Sequence, residues 1–189
     1  MTHVGIDFGS RKAGTTVLCC LVNDKWNFRQ SAKNEDADLF LQNVVNEIKP
    51  NLIFIDAPLS LPAVYSTTSP SPDSDFHYRK CDREAGAMSP MFLGGLTARA
   101  IRLRTQWERL GIKVFETYPK LAAREIEASH YKDDLKKFAG SLAQKLSVPL
   151  PELMNWHQAD ACLAWLSGLR YKQERARITG DSAEGLILF

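Results

Sequence analysis

The order of strand and helix patterns along the chain is the feature that most constrains its fold. Three short apolar runs follow one another near the N-terminus, "HVGIDFG", "TTVLCCLV" and "KWNFRQS". Such runs, separated by turn residues, predict three consecutive strands of an antiparallel meander. The amphipathic stretch "EDADLFLQNVVNEIKP" then predicts a crossover helix that ends at Pro50. It leads into "NLIFIDAPLSLP", whose continuous apolar run is typical of a strand covered on both faces.

The second half of the chain adds a fifth strand pattern and further helices. Helical spacing predicts helices over about 96–110, 119–128, 133–145 and 151–171. Between the first two of these, "IKVFETYP" predicts a strand, and "GLILF" predicts a short final strand. The predicted fold class is therefore α/β, with a mixed sheet of a three-strand antiparallel meander plus parallel strands, flanked by helices.

The segment 59–95 interrupts these patterns. It contains the Ser- and Pro-rich run "STTSPSPDSD" and shows no apolar periodicity. Long stretches of this kind within a compact domain are usually surface insertions. Because 189 residues fit one domain, we expect a single domain, 1–189, with a loop-rich, mobile insertion at 59–95.

Composition and cysteine spacing restrict the class of protein. The formal net charge of +2 is too small to indicate a nucleic-acid partner by itself. The four cysteines have no C-x-x-C spacing, so a structural zinc site is not expected. Cys19 and Cys20 are adjacent in a predicted strand and point to opposite faces, which is typical of reduced core cysteines. Without a signal-peptide pattern or a membrane-spanning apolar run, we predict a cytoplasmic protein.

Acidic residues lie near the ends of three predicted strands, where functional groups of α/β sheets collect. They are Asp7, Asp56 and Glu116. If the first and fourth strands are neighbours, Asp7 and Asp56 come together. Asp160 lies in "WHQADACLAWLSG", on a helix face otherwise built from Ala and Gly, and is expected to point inward. Two simpler interpretations stay open: Asp7 caps a turn through Gly9 and Ser10, and Asp160 is a surface acid that complements the helix dipole.

Closely spaced carboxylates repel one another and require a cation. Mg²⁺ or Mn²⁺ is the natural candidate, because hard divalent ions prefer oxygen ligands and this set offers no cysteine and little histidine. A pair of such ions can activate a water and stabilise the leaving oxygen of a phosphodiester. The predicted chemistry is therefore that of a nuclease.

Six motifs carry a resemblance to a known family. "VGIDFGS", "IFIDAPLSLP", "YRKCDRE", "FETYPK", "ADACLAWLSG" and "EGLILF" occur in the order typical of the DUF429 family of predicted nucleases with an RNase H-like fold, and they span nearly the whole chain. The resemblance implies an RNase H-like sheet whose catalytic and metal-binding acids are Asp7, Asp56, Glu116 and Asp160. Families with this fold often place two acids on the last helix, whereas this chain has one there. Either His157 takes the second role or the site binds a single metal.

Basic residues near these acids are candidates for contacts with substrate phosphates: Lys12, Arg79, Lys80 and Arg83. The last three lie in "HYRKCDRE", where His77 and Tyr78 can stack on a base. A solvated basic loop is the simpler interpretation. We expect Asp82 to pair with Arg79 or Arg83 rather than to bind metal. The stretch "SHYKDD" is interpreted as a helix break followed by an N-terminal turn, without chemistry.

The favoured hypothesis is metal-dependent hydrolysis of nucleic-acid phosphodiester bonds, with nucleic acid as the partner. One alternative is an actin-like or sugar-kinase-like phosphotransferase or nucleotide-binding protein, because "GIDFGS" also resembles the first phosphate loop of those proteins. They use two related halves, and this chain has room for one. A second alternative is a non-catalytic nucleic-acid-binding module, which would bind without metal-dependent turnover.

Overall fold

The computed structural model describes residues 2–146 and 149–189, and its strands form one mixed sheet. The strands are β1 (His3–Asp7), β2 (Val17–Val22), β3 (Lys25–Gln30), β4 (Leu52–Asp56), β5 (Lys113–Thr117), β6 (Ile178–Asp181) and β7 (Gly185–Leu188). Their order across the sheet is β3-β2-β1-β4-β5-β7-β6. The first three strands pair antiparallel, β4 pairs parallel to both β1 and β5, and β7 pairs parallel to β5. The predicted mixed sheet, an antiparallel three-strand meander plus parallel strands, is confirmed.

β6 is the strand that the sequence analysis missed. It pairs antiparallel with β7 and forms the edge of the sheet. Its four residues, "ITGD", include a glycine with a φ of 107° and none of them is buried. Because a strand pattern depends on alternating burial, a short edge strand of this composition gives no recognisable signal.

The helices lie on both faces of the sheet. They are α1 (Ala37–Ile48), α2 (Lys80–Ala85), α3 (Pro90–Leu93), α4 (Gly95–Arg109), α5 (Pro119–Glu125), α6 (Leu135–Ala143) and α7 (Trp156–Lys172). α7 begins five residues later than the predicted 151, because the Asn155 side chain caps it by accepting from the Gln158 N–H. No helix within the described ranges is long and apolar enough to cross a lipid bilayer.

Two apolar cores sandwich the sheet. α1 and α4 cover one face, and α5, α6 and α7 cover the other. Cys20 packs in the first core and Cys19 in the second, and both are buried and free, so the prediction for these adjacent cysteines is confirmed.

The segment 59–95 contributes buried residues as well as loops. α2 and α3 both lie within it. Cys81 and Ala85 of α2 pack against Leu121 and Ile187 in a small apolar cluster. No helical pattern marks α2 in the sequence, because a helix of six residues is too short for a helical period to stand out. The mobility of the segment stays a prediction.

α7 approaches β1 so closely that only a glycine fits between their backbones. A Cβ atom at Gly5 would overlap the backbone nitrogen of Trp165 and the carbonyl oxygen of Ala161, and would lie 2.7 Å from the Trp165 Cα. Cys19 on the neighbouring strand donates its S–H to the Ala161 carbonyl. Small residues on α7 therefore bring the helix, and every side chain it carries, directly onto the central strand.

We expect Gly5→Ala to lower the free energy of unfolding by about 3 kcal/mol, because overpacking against backbone atoms forces α7 to shift. Chemical denaturation of the purified variant measures this loss. Gly140→Ala is the matched control, since nothing lies within 4 Å of a Cβ at that helical position. It should be neutral or stabilise by up to about 1 kcal/mol. Equal effects of the two substitutions would contradict the close approach.

Candidate metal centre

Asp7 and Asp56 are the last residues of two neighbouring parallel strands. The register pairs Asp7 directly with Asp56, so their backbones are separated by roughly the 4.8 Å between adjacent strands. Asp7 is 9% exposed and Asp56 is partly buried. The expected meeting of these two acids at the carboxyl ends of β1 and β4 follows from this register.

Asp160 comes to the same end of the sheet from α7. It is 6% exposed, so it does not lie on the protein surface. Its Oδ1 accepts a hydrogen bond from the Tyr131 hydroxyl at 2.7 Å, and its Oδ2 accepts from the Lys132 ammonium at 2.5 Å. The small residues beside Asp160 predict its inward orientation. They do not predict its hydrogen bonds with Tyr131 and Lys132.

His157 lies one helical turn before Asp160 and contacts Asp7. Its Nδ1 lies 2.8 Å from the Asp7 Oδ2. This hydrogen bond, reinforced by the Asp7 and Asp160 charges, raises the pKa of His157. The Gly9 N–H, which a turn cap by Asp7 would satisfy, donates instead to the Thr16 hydroxyl. Asp7 therefore faces α7 and not its own turn.

Asp56 is the carboxylate without a partner. Among the described residues, none donates a hydrogen bond to its side chain or forms an ion pair with it. Burial raises the pKa of Asp56 well above its usual range, and the charges of Asp7, Asp160 and Glu116 raise it further. An unpaired carboxylate near two others offers oxygen atoms that a hard cation can bind.

Glu116 lies at the same end of the sheet as these aspartates but is already paired with Arg79. It occupies the penultimate position of β5, opposite Ile55 of β4. Its two oxygens accept from Arg79 Nη1 and Nη2 at 2.7 Å each, and Oε2 also accepts from the Leu59 N–H at 2.9 Å. Burial raises the pKa of Glu116, although the Arg79 hydrogen bonds oppose that shift. Glu116 can bind a metal only by giving up part of this pairing.

Arg79 is fully buried and uses all five of its N–H groups inside the protein. Nε and Nη2 donate to Asp82, both Nη atoms donate to Glu116, and Nη1 also donates to the Ser60 hydroxyl. The expected pairing of Asp82 with Arg79 is confirmed. The expected contact between Arg79 and a substrate phosphate requires a correction, because a guanidinium with no free donor and 0% exposure cannot reach a ligand.

A second group of potential ligands surrounds this guanidinium. Ligand atoms of Cys81, Asp82 and Glu116 lie within 4.8 Å of one another. Arg79 bridges the two carboxylates, however, and burial raises the pKa of the Cys81 thiol to about 12, which keeps it protonated. A metal ion here would have to displace a paired guanidinium, so the aspartates are the better cation site.

The other predicted basic residues are exposed. Lys12 lies in the turn after β1. Lys80 is 3.8 Å from Glu84, and Arg83 pairs with Asp75 at 2.7 Å while its guanidinium covers the Tyr78 ring. These ion pairs face solvent, so a phosphate can replace them at little cost.

Tyr131 and Lys132 are the site residues that the sequence analysis missed. They belong to "SHYKDD", to which it assigned no chemistry, and they contact Asp160 across 29 and 28 positions of sequence. Helical periodicity relates residues within a few turns and carries no information about a contact of this separation. No local signal in the sequence marks them.

Comparisons with known proteins give a limited result. No family model matches the sequence, and no curated protein does. Among solved structures, the chain is similar to the Thermus thermophilus RuvC structure, with 10% identity, coverage of 99% of this chain and 100% of that chain, and a TM-score of 0.49. The resemblance to the DUF429 family stays a prediction.

Replacing Arg79 tests the buried ion-pair network. Arg79→Met leaves Asp82 and Glu116 buried without a counter-charge, which should lower the free energy of unfolding by about 3–5 kcal/mol. Arg83→Met is the control, since it removes an exposed arginine four residues later and should change stability by less than about 0.5 kcal/mol. Urea denaturation at pH 7 compares the two. Similar losses for both variants would show that the network contributes little.

Replacing Asp56 tests the crowding of carboxylates in metal-free protein. The folded state binds the Asp56 proton more tightly than the unfolded state, so this group destabilises the fold as pH rises above about 4. Asp56→Asn should therefore be more stable than the wild type in chelator, and the difference should grow with pH until it levels off above the raised pKa.

Urea denaturation in chelator between pH 4 and pH 8 measures that difference. Asp73→Asn, a change at an exposed carboxylate, should give no comparable trend. An Asp56→Asn variant that is less stable than the wild type at pH 7 would contradict the interpretation of Asp56 as an unpartnered charge.

Proposed function

We propose that this protein is a metal-dependent phosphodiesterase that acts on nucleic acid, with Mg²⁺ or Mn²⁺ held by Asp7, Asp56 and Asp160. The observation that carries the proposal is the unpartnered Asp56 carboxylate at the same end of the sheet as the buried Asp7 and Asp160. Burying like charges together is unfavourable unless a cation joins them. Because assembling this cluster of aspartates costs free energy, we infer that the cluster binds a cation.

The donor set fits a hard divalent ion. All three side chains offer oxygen, and thiol ligands are absent from this set, which favours Mg²⁺ or Mn²⁺ over zinc. Asp7 and Asp56 extend from adjacent strands of the central sheet, and Asp160 extends from the helix packed against it. Ligands on rigid elements hold their geometry without a large loss of conformational entropy on binding. A bound ion of this kind supplies an activated water and stabilises charge on the leaving oxygen.

The remaining polar residues take supporting roles in the proposal. His157 fixes the Asp7 carboxylate through Nδ1, and its side chain is 40% exposed; in the proposal its imidazole exchanges protons with solvent. Tyr118 follows β5. Burial raises the pKa of its hydroxyl, and the charges of Asp56 and Asp160 raise it further. Glu116, predicted as a fourth acid, adds to the negative field while it stays paired with Arg79.

The exposed basic residues provide the proposed contacts with the substrate backbone. Lys12, Lys80 and Arg83 keep their charged groups at the surface. Phosphate contacts of this type position a nucleic acid without reading its sequence. Arg79 has no part in this surface, because it is buried.

A cleavage assay tests the proposal. Single-stranded DNA, duplex DNA, RNA, RNA–DNA hybrid and branched junctions are incubated with the protein in Mg²⁺, in Mn²⁺ and in chelator. We expect cleavage of at least one substrate with metal and none in chelator. Asp56→Asn should reduce kcat at least about 100-fold, since changing even a supporting residue of a metal site commonly costs 10–100-fold. Asp73→Asn should retain wild-type activity.

Four results would contradict the proposal. Failure to cut any substrate under either metal, or cleavage that survives the chelator, removes metal-dependent hydrolysis. Tight binding to nucleic acid without turnover indicates a binding module. Metal-dependent transfer of phosphate from a nucleoside triphosphate indicates a phosphotransferase.

A further inference from the structure

Both oxygens of Asp160 are occupied by neighbouring side chains. The Tyr131 hydroxyl donates to Oδ1 and the Lys132 ammonium donates to Oδ2. The same ammonium lies 5.3 Å from the centre of the Trp156 ring and 5.4 Å from that of Tyr131. One carboxylate and two aromatic rings therefore hold the Lys132 charge, which is more than an isolated surface ion pair provides.

The loop that carries these two donors has an unusual backbone. His130 and Lys132 adopt φ angles of 65° and 61°, in the left-handed region that non-glycine residues occupy at a cost. The Tyr131 ring between them packs against Phe138 and Trp156, at centroid distances of 5.4 and 5.8 Å. Such a conformation persists where the surrounding structure enforces it. As a result, the side chains of the consecutive residues Tyr131 and Lys132 both contact the Asp160 carboxylate.

Lys132 also acts on the other two aspartates. Burial and neighbouring carboxylates raise the pKa of Asp7 and of Asp56, and the Lys132 charge opposes both shifts. An ammonium 2.5 Å from Asp160 Oδ2 occupies the position that a divalent ion bound to that oxygen would need. Two cations cannot share one oxygen at contact distance without strong repulsion.

Building on the proposed function, we propose that Lys132 is the resident cation of the metal-free centre and that it must leave Asp160 Oδ2 when a divalent ion binds. Tyr131 can remain on Oδ1, so the orientation of Asp160 is kept. The Lys132 side chain is 47% exposed and has an open path to solvent. Lys132 is thus a positioning residue that sets the metal affinity of the site.

Calorimetric titration with Mn²⁺ alone tests this inference. Lys132→Met keeps an unbranched side chain one atom shorter and removes the competing charge, so the dissociation constant for Mn²⁺ should fall about tenfold. Lys132→Arg keeps a cation and should bind Mn²⁺ no more tightly than the wild type. Lys137→Met is the matched control, because it removes an exposed lysine paired with Asp134, and its affinity should equal that of the wild type.

A second readout separates competition from a merely structural role. In chelator, Lys132→Met should melt below the wild type because three carboxylates lose a counter-charge, and saturating Mn²⁺ should remove that deficit. A purely structural lysine would leave the metal affinity unchanged or lower it when replaced. Unchanged or weaker Mn²⁺ binding by Lys132→Met overturns the inference.

The outcomes also distinguish this inference from the proposed function. Tighter Mn²⁺ binding by Lys132→Met in a protein that cuts no nucleic acid would support the inference and remove the nuclease proposal. Equal Mn²⁺ binding by the wild type and Lys132→Met, together with metal-dependent cleavage, would support the nuclease proposal and remove the inference about Lys132. Failure of both proteins to bind Mn²⁺ removes both proposals.

Discussion

The close contact between α7 and β1 is the constraint on which the candidate site depends. At Gly5 the two backbones meet with no room for a Cβ atom. Gly168 on α7 also lies close to the sheet, because a Cβ atom added there would be 2.7 Å from a ring atom of Phe54. Without this contact, Asp160 and His157 would not reach the end of β1. Gly5 and the alanines and single glycine of "ADACLAWLSG" are therefore as necessary to the site as the acids are, although they supply no chemistry.

The acids at this end of the sheet form two groups with different electrostatics. Glu116 and Asp82 share the buried Arg79 and make a closed, internally paired network that fixes α2 on the sheet. Asp160 and Asp7 contact exposed or partly exposed basic side chains, Lys132 and His157, and Asp56 has no partner among the described residues. Replaceable counter-charges are what a site for an exchangeable cation requires. The closed network instead resembles a structural support.

The six strands other than β6, and the approach of Asp7 to Asp56 if β1 and β4 are neighbours, could be expected from sequence because they depend on local patterns. A meander, a crossover helix and a doubly buried strand place β1 beside β4, and terminal residues of neighbouring parallel strands must lie together. The inward orientation of Asp160 followed from the small residues on its face of the helix.

The parts that sequence could not predict depend on contacts between distant residues. Arg79 is a loop arginine in composition, and its burial is set by Glu116, which lies 37 positions away. Lys132 lies in an irregular loop whose direction comes from left-handed backbone conformations and aromatic packing. Neither feature produces a periodic pattern in the sequence. Local patterns therefore could not correct the expectations that Arg79 binds phosphate and that the "SHYKDD" loop is inert.

A crystal structure of the protein grown or soaked in Mn²⁺, with anomalous diffraction to locate the ion, tests the central claim most directly. The account predicts an anomalous peak at roughly 2.0–2.4 Å from carboxylate oxygens of Asp7, Asp56 and Asp160, with the Lys132 ammonium withdrawn from Asp160. A peak at Asp82 and Glu116, or no peak between the three aspartates at saturating Mn²⁺, would contradict it.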